Sequence, residues 1–142
     1  MDDRRPDSYE PNNTCAAAYD LGTEPDNRVL SATIDTAADT DDYYVFTGVD
    51  DTFTFGREVV RLTLEDVPGD ADYDLYLYRG LSACQSGSSL AQSVAGGRGD
   101  EEMLEWVEAL NFDDEGDFYV RVRRYAGNAC FAPYRLTVHG LR

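Results

Sequence analysis

Apolar and polar side chains alternate with period two along several short stretches of this 142-residue chain, and that period predicts strands with one face buried and one wet. In DYDLYLYR, Tyr73, Leu75 and Leu77 fall on one face and Asp74, Tyr76 and Tyr78 on the other. FYVRVRR places Phe118, Val120 and Val122 inward with Tyr119, Arg121 and Arg123 outward, and YRLTVH repeats the pattern with Tyr134, Leu136 and Val138 inward. Weaker alternation runs through 28–34, 42–47, 58–67 and 89–95. Residues 101–110 fit two periods, since Met103, Leu104, Val107 and Leu110 suit a helix while Leu104 and Trp106 alternate; they are read as a strand. CAAAYDLG predicts one short helical turn closed by Gly22. Between these segments stand the turn signals PGD, AGGRGD, DDEGD and YAGN.

About eight short two-sided strands divided by Gly, Asp and Asn turns predict an all-β, antiparallel β-sandwich. Composition agrees, with 10 Tyr against 1 Trp and 2 Met. The length suits one domain with a core of its own. Residues 1–8, charged and without period, read as linker, and the domain is expected from Tyr9 to the end of the chain.

Charge narrows the partners. The chain carries 28 acidic and 12 basic residues, a formal charge of -16, and all the basic ones are Arg. Such a balance repels phosphate backbones and anionic bilayers, so neither nucleic acid nor membrane is an expected partner. No apolar run is long enough to span a bilayer. The start, MDDRRPDS, lacks the apolar core of a signal peptide, as a segment cut from a longer precursor would. Cys15, Cys84 and Cys130 show no zinc-type spacing. One disulfide plus one spare thiol in an exported protein fits them, with three reduced thiols as the alternative.

Catalytic machinery is not legible. The one histidine, His139, is expected on the wet face of the last strand, and no GxSxG, HExxH or phosphate-binding glycine loop occurs. Oxygen-rich clusters are more telling, because calcium takes about 6–8 oxygen ligands at roughly 2.3–2.6 Å. Three clusters compete. The first joins Glu10, Asn12 and Asn13, around a proline in EPNN, with Asp39, Asp41 and Asp42 of DTDD. The second is GDADYD, with Asp70, Asp72 and Asp74 on one strand face, and the third is DDEGD ahead of Phe118. Turn formation already accounts for Asp and Gly in the second and third, so the first is the preferred metal candidate.

EPNNT, then DTDDYYVF, DYDLYLY, GDFYVRVRRY and a closing PYRLTV, taken in order from about Tyr9 to Val138, resemble the bacterial pre-peptidase C-terminal domain family, to which the collagen-binding domains of clostridial collagenases are related. The resemblance implies a jelly-roll-like sandwich attached to a secreted hydrolase, usually a peptidase. It further implies a noncatalytic, extracellular module with a calcium ion as cofactor and the parent's catalytic domain as partner, serving folding, domain orientation or substrate attachment. Matched motif to motif, the calcium ligands would be Glu10, Asn12, Asn13, Asp39 and Asp42, with the main-chain carbonyl of Tyr134. Ser8 and Asn13 stand where calcium-binding members carry acids, which implies weaker binding. If a shared cation pins EPNN beside the closing strand, Cys15 pairs with Cys130 and Cys84, in the loop LSACQSG, stays free; Cys84 with Cys130 is the runner-up. An alternative function is recognition of a polymer, protein fibre or polysaccharide, through Tyr76, Tyr78, Tyr119 and Tyr125.

Overall fold

The alternating stretches fold into strands whose register follows their phase. A computed structural model describes residues 13–23, 25–32, 41–48, 59–67, 72–94, 101–107, 116–126 and 134–140. Among them are nine strands: β1 (Tyr19–Thr23), β2 (Arg28–Ala32), β3 (Asp41–Gly48), β4 (Val59–Glu65), β5 (Asp72–Arg79), β6 (Ala91–Ser93), β7 (Glu102–Val107), β8 (Gly116–Ala126) and β9 (Tyr134–Gly140). A 3-10 turn (Cys15–Ala17) and one short helix, α1 (Leu81–Ser86), complete the order. The ambiguous 101–110 stretch is strand over Glu102–Val107.

Two local expectations change. The helical turn at CAAAYDLG stops after Ala17, where Thr14 caps it by accepting from the Ala17 amide at 3.2 Å. Gly22 does not end a helix; it lies inside β1 at φ +88°, between Asp20 and Thr23, where the pairing with β3 shifts register. LSACQSG, expected as a loop, contains α1. Its preceding Gly80 sits at φ +86° and its main-chain oxygen accepts from the Cys84 amide at 3.1 Å.

The strands form a five-stranded sheet, β1-β3-β8-β5-β6, and a four-stranded sheet, β2-β9-β4-β7. The pairs β5–β6, β4–β7, β3–β8 and β2–β9 are all antiparallel and nest inside one another in sequence. A long hairpin rolled on itself gives this order, so the two-sheet sandwich has the jelly-roll arrangement, with β1 added in parallel at the edge beside β3.

Between the sheets lies the predicted core. Tyr73, Leu75, Leu77, Phe118, Val120, Val122, Tyr134, Leu136 and Val138, all expected inward, are buried in one cluster with Tyr44, Phe46, Leu62 and Leu64. Phe46 and Phe118 stack with centroids 5.3 Å apart, and Trp106 tilts against Phe118 at 5.6 Å. Gly140 closes over this stack: its amide donates to the Pro25 carbonyl at 2.8 Å, and a Cβ there would stand 2.7 Å from the Phe46 ring.

A second apolar layer covers the outer face of the five-stranded sheet. Cys15, Cys84, Tyr43, Tyr78 and Tyr119 are buried together, with Ala18, Val45, Tyr76 and Ala83 packed on them. Here Cys15 is bonded to Cys84, with Cα atoms 6.1 Å apart. This corrects both expected pairings, Cys15 with Cys130 and Cys84 with Cys130. The reason is the side of the sandwich: the 3-10 turn and α1 both pack on the five-stranded sheet, whereas β9, which Cys130 precedes in sequence, belongs to the four-stranded one. Cys130 itself lies outside the described residues.

Candidate metal centre

Of the first predicted ligand set, Glu10, Asn12 and Asp39 lie outside the described residues, and Asn13 is exposed just ahead of the Thr14 cap. Asp42 and Tyr134 are brought together, through the phenol of Tyr134. Asp42 shares the phase of Tyr44 and Phe46, so its side chain points into the sandwich and is fully buried. Tyr134 Oη donates to Asp42 Oδ2 at 2.6 Å and lies 2.7 Å from Tyr44 Oη. Tyr73 meets the Tyr134 ring edge-on at 5.8 Å. Burial, then the charge of Asp42, drives the Tyr134 phenol well above its ordinary pKa, so it remains a donor. One Asp42 oxygen is therefore committed to holding β3 of one sheet to β9 of the other.

The neighbouring Asp41 turns outward, as alternation requires, and binds Arg121 at 2.7 Å. Arg121 also lies against the rings of Tyr43 and Tyr76, 5.6 and 5.3 Å from their centroids, and donates to Tyr78 Oη at 3.3 Å. The residues expected to offer a polymer-binding surface are thus largely enclosed. Tyr78 is 1% and Tyr119 8% exposed beneath the Cys15–Cys84 layer, and Tyr76 is half-buried, stacked on Tyr78. The side chain of Tyr125 lies outside the described residues.

Among the described residues, carboxylates converge at the second sequence cluster. Asp72 and Asp74 stand on β5, and Glu102 opens β7 in the other sheet. One oxygen from each lies within 4.8 Å of the others, which makes this the one group of three or more such residues among those described that fits around an ion. Local structure explains the meeting. β6 is three residues long and ends opposite Leu75, so β5 has no β6 partner alongside Asp72 and Asp74. Glu102 has the inward phase of Leu104 and Trp106, and Ser93, the last residue of β6, donates its hydroxyl to Glu102 Oε2.

Electrostatics make this grouping costly without a counterion. Asp74 is 4% exposed and Glu102 likewise 4%. Three charges within 4.8 Å repel by roughly 3 kcal/mol or more per pair at an effective dielectric of about 20. Burial first, then Asp72 and Glu102, push the Asp74 carboxyl up to about 6, against the pull of Arg123 across the strand pair. Asp74 Oδ1 and Asp72 Oδ1 are buried with no hydrogen-bond partner. Buried carboxylate oxygens are ordinarily paired or bound to a metal.

The donor set is all oxygen, without His or Cys, and suits a hard cation. Its 4.8 Å span is about that of two ligands on opposite sides of a calcium ion at roughly 2.3–2.6 Å each. GDADYD already held the signal for Asp72 and Asp74. Glu102 was missed because nothing local in EEMLEW connects it to residues on another strand. His139 is half-buried, with Nδ1 3.7 Å from Asp26 Oδ1. No protein-family model matches the chain, and no curated protein matches its sequence.

Proposed function

We propose that this chain is a noncatalytic accessory module of a secreted bacterial hydrolase, of the pre-peptidase C-terminal type, stabilised by a calcium ion held by Asp72, Asp74 and Glu102. The observation that carries the metal reading is the buried, unpartnered Oδ1 of Asp74 beside two further carboxylates. An ion supplies the missing partner and offsets the mutual repulsion, with water completing its shell. The accessory role rests on the sandwich, on a disulfide that suits an oxidising compartment, and on sequence motifs without a legible nucleophile and base. Among the described residues no helix is long and apolar enough to cross a membrane. The partner in this reading is the parent's catalytic domain, and the 3-10 turn bonded through Cys15 to α1 anchors the N-terminal approach to the sandwich. Polymer recognition through Tyr78 and Tyr119 has less support, because both rings are covered.

The metal reading is tested by calorimetry and thermal melting of the chain after chelation and again with calcium chloride. At a hundred times the dissociation constant, bound calcium adds about 2.7 kcal/mol of stability. Asp74→Asn should abolish most of that gain. No binding heat and an unchanged melting temperature would remove calcium from the proposal.

A further inference from the structure

We infer that the cation at Asp72, Asp74 and Glu102 acts as a clamp between the two sheets, and that its binding controls whether the β6–β7 side of the sandwich is closed or open. This rests on the cation reading above and adds what the ion does to the fold.

Among the described residues the two sheets share no strand pairing, and side chains hold them face to face. Along most of the sandwich the large apolar cluster does this. At one side the arrangement changes. β6 is the outermost strand of the five-stranded sheet and β7 that of the four-stranded sheet. β6 covers only Leu75 to Leu77 of β5, and beyond it the carboxylates of Asp72 and Asp74 reach Glu102 of the opposite sheet. At this side carboxylates meet, although Asp74 shares the phase of Tyr76 and Tyr78 and not that of the inward Leu75 and Leu77.

The sign of that contact depends on the ion. Without one, three like charges within 4.8 Å push β5 and β7 apart, and water cannot relieve Asp74 while the site stays closed. With one, the same oxygens become ligands of a common centre and draw the sheets together. Ser93 follows, because its hydroxyl is bound to Glu102 and carries β6 with it. The core strands β3, β8, β4 and β9 hold both sheets through long paired runs and supply none of the three carboxylates, so opening is confined to β6, β7 and the start of β5. An opened edge exposes unpaired main-chain groups, the feature through which sheets add foreign strands.

Hydrogen exchange read by mass spectrometry on the full chain, chelated and then saturated with calcium chloride, tests this beside titration calorimetry. Amides of Ala91–Ser93 and Glu102–Val107 should exchange at least tenfold more slowly with calcium, while those of β3 and β8 change less than twofold. Glu102→Gln should lose that protection, and Ser93→Ala should lose it only in β6. If calcium binds but protection is uniform, or confined to Asp72 and Asp74, the clamp is wrong and the site stands. If no heat and no protection are seen, the site fails and the clamp with it. Should Glu102→Gln not fold, the wild-type comparison alone decides.

Discussion

Replacing Cys15 and Cys84 together by Ser should unfold the chain at a much lower temperature. The bridge joins positions 69 residues apart, across β1 to β5. In the chain-entropy treatment, opening a loop of about 70 residues returns roughly 15 cal/mol/K to the unfolded ensemble, or about 4.4 kcal/mol at 25 °C. An unfolding entropy near 2.1 cal/mol/K per residue over 142 residues converts this to a drop of roughly 15 °C. The apolar layer adds to the effect, since the bridge holds the 3-10 turn and α1 over Tyr78 and Tyr119. Scanning calorimetry of the double variant against wild type gives the magnitude, and tyrosine emission reports uncovering of the outer face. Peptide mapping of the unreduced chain should recover Cys15 linked to Cys84, and thiol titration after denaturation should find one free thiol, three cysteines less the two bonded. A Cys15–Cys130 peptide, or a stability loss under about 1 kcal/mol, would refute this account of the outer layer.

Tyr134→Phe removes the donor to a fully buried carboxylate and should cost about 1.5–3 kcal/mol in urea denaturation; Asp42→Asn on that background should recover part of the loss. Gly140→Ala should destabilise by about 1–3 kcal/mol in the same assay, because Phe46 is locked against Phe118 and cannot yield to a Cβ at 2.7 Å. The carboxyl of Asp74, raised to about 6, makes the folded chain hold a proton that the unfolded chain releases near its ordinary value. With chelator present, that contribution is whole below about pH 4 and is lost as pH rises through about 6. The stability difference between wild type and Asp74→Asn should therefore widen to the mutant's advantage across this range, and a pH-independent difference would count against the shift.

Much of the sandwich is written in the alternation itself. Tyr73, Leu75 and Leu77, or Tyr134, Leu136 and Val138, need no tertiary information to be assigned inward, because a two-residue period fixes the face. The outer face of β5 was less legible. Tyr78 looks wet in DYDLYLY, and only the bridge between two segments 69 residues apart decides that it is covered. Cysteine connectivity cannot be read from spacing, so that cover had no local signature. Asp42 is a different case: its phase with Tyr44 and Phe46 announces an inward carboxylate, but its bond to Tyr134 joins the two sheets and has no local signature. For Asp72 and Asp74 the acids are visible, but a solvated turn is the readier explanation of them until Glu102 is brought in from the other sheet. Pairings made across long separations depend on the whole packing, and no single segment contains them.

The nested hairpin also sets the order in which the molecule can be made. β8 lies between β3 and β5, and β9 between β2 and β4, so the central strand of the five-stranded sheet and an inner strand of the four-stranded one are the last of the nine to leave the ribosome. Until residues 134–140 emerge, β2 and β4 have a gap between them where their shared partner belongs. Nearly all pairing is then long-range, which places folding among the slow topologies, in the millisecond-to-second range. A growing or threaded chain thus stays unfinished until its final strand arrives. Loss of β9 from the C-terminal end should leave no partly working sandwich, only an unassembled one.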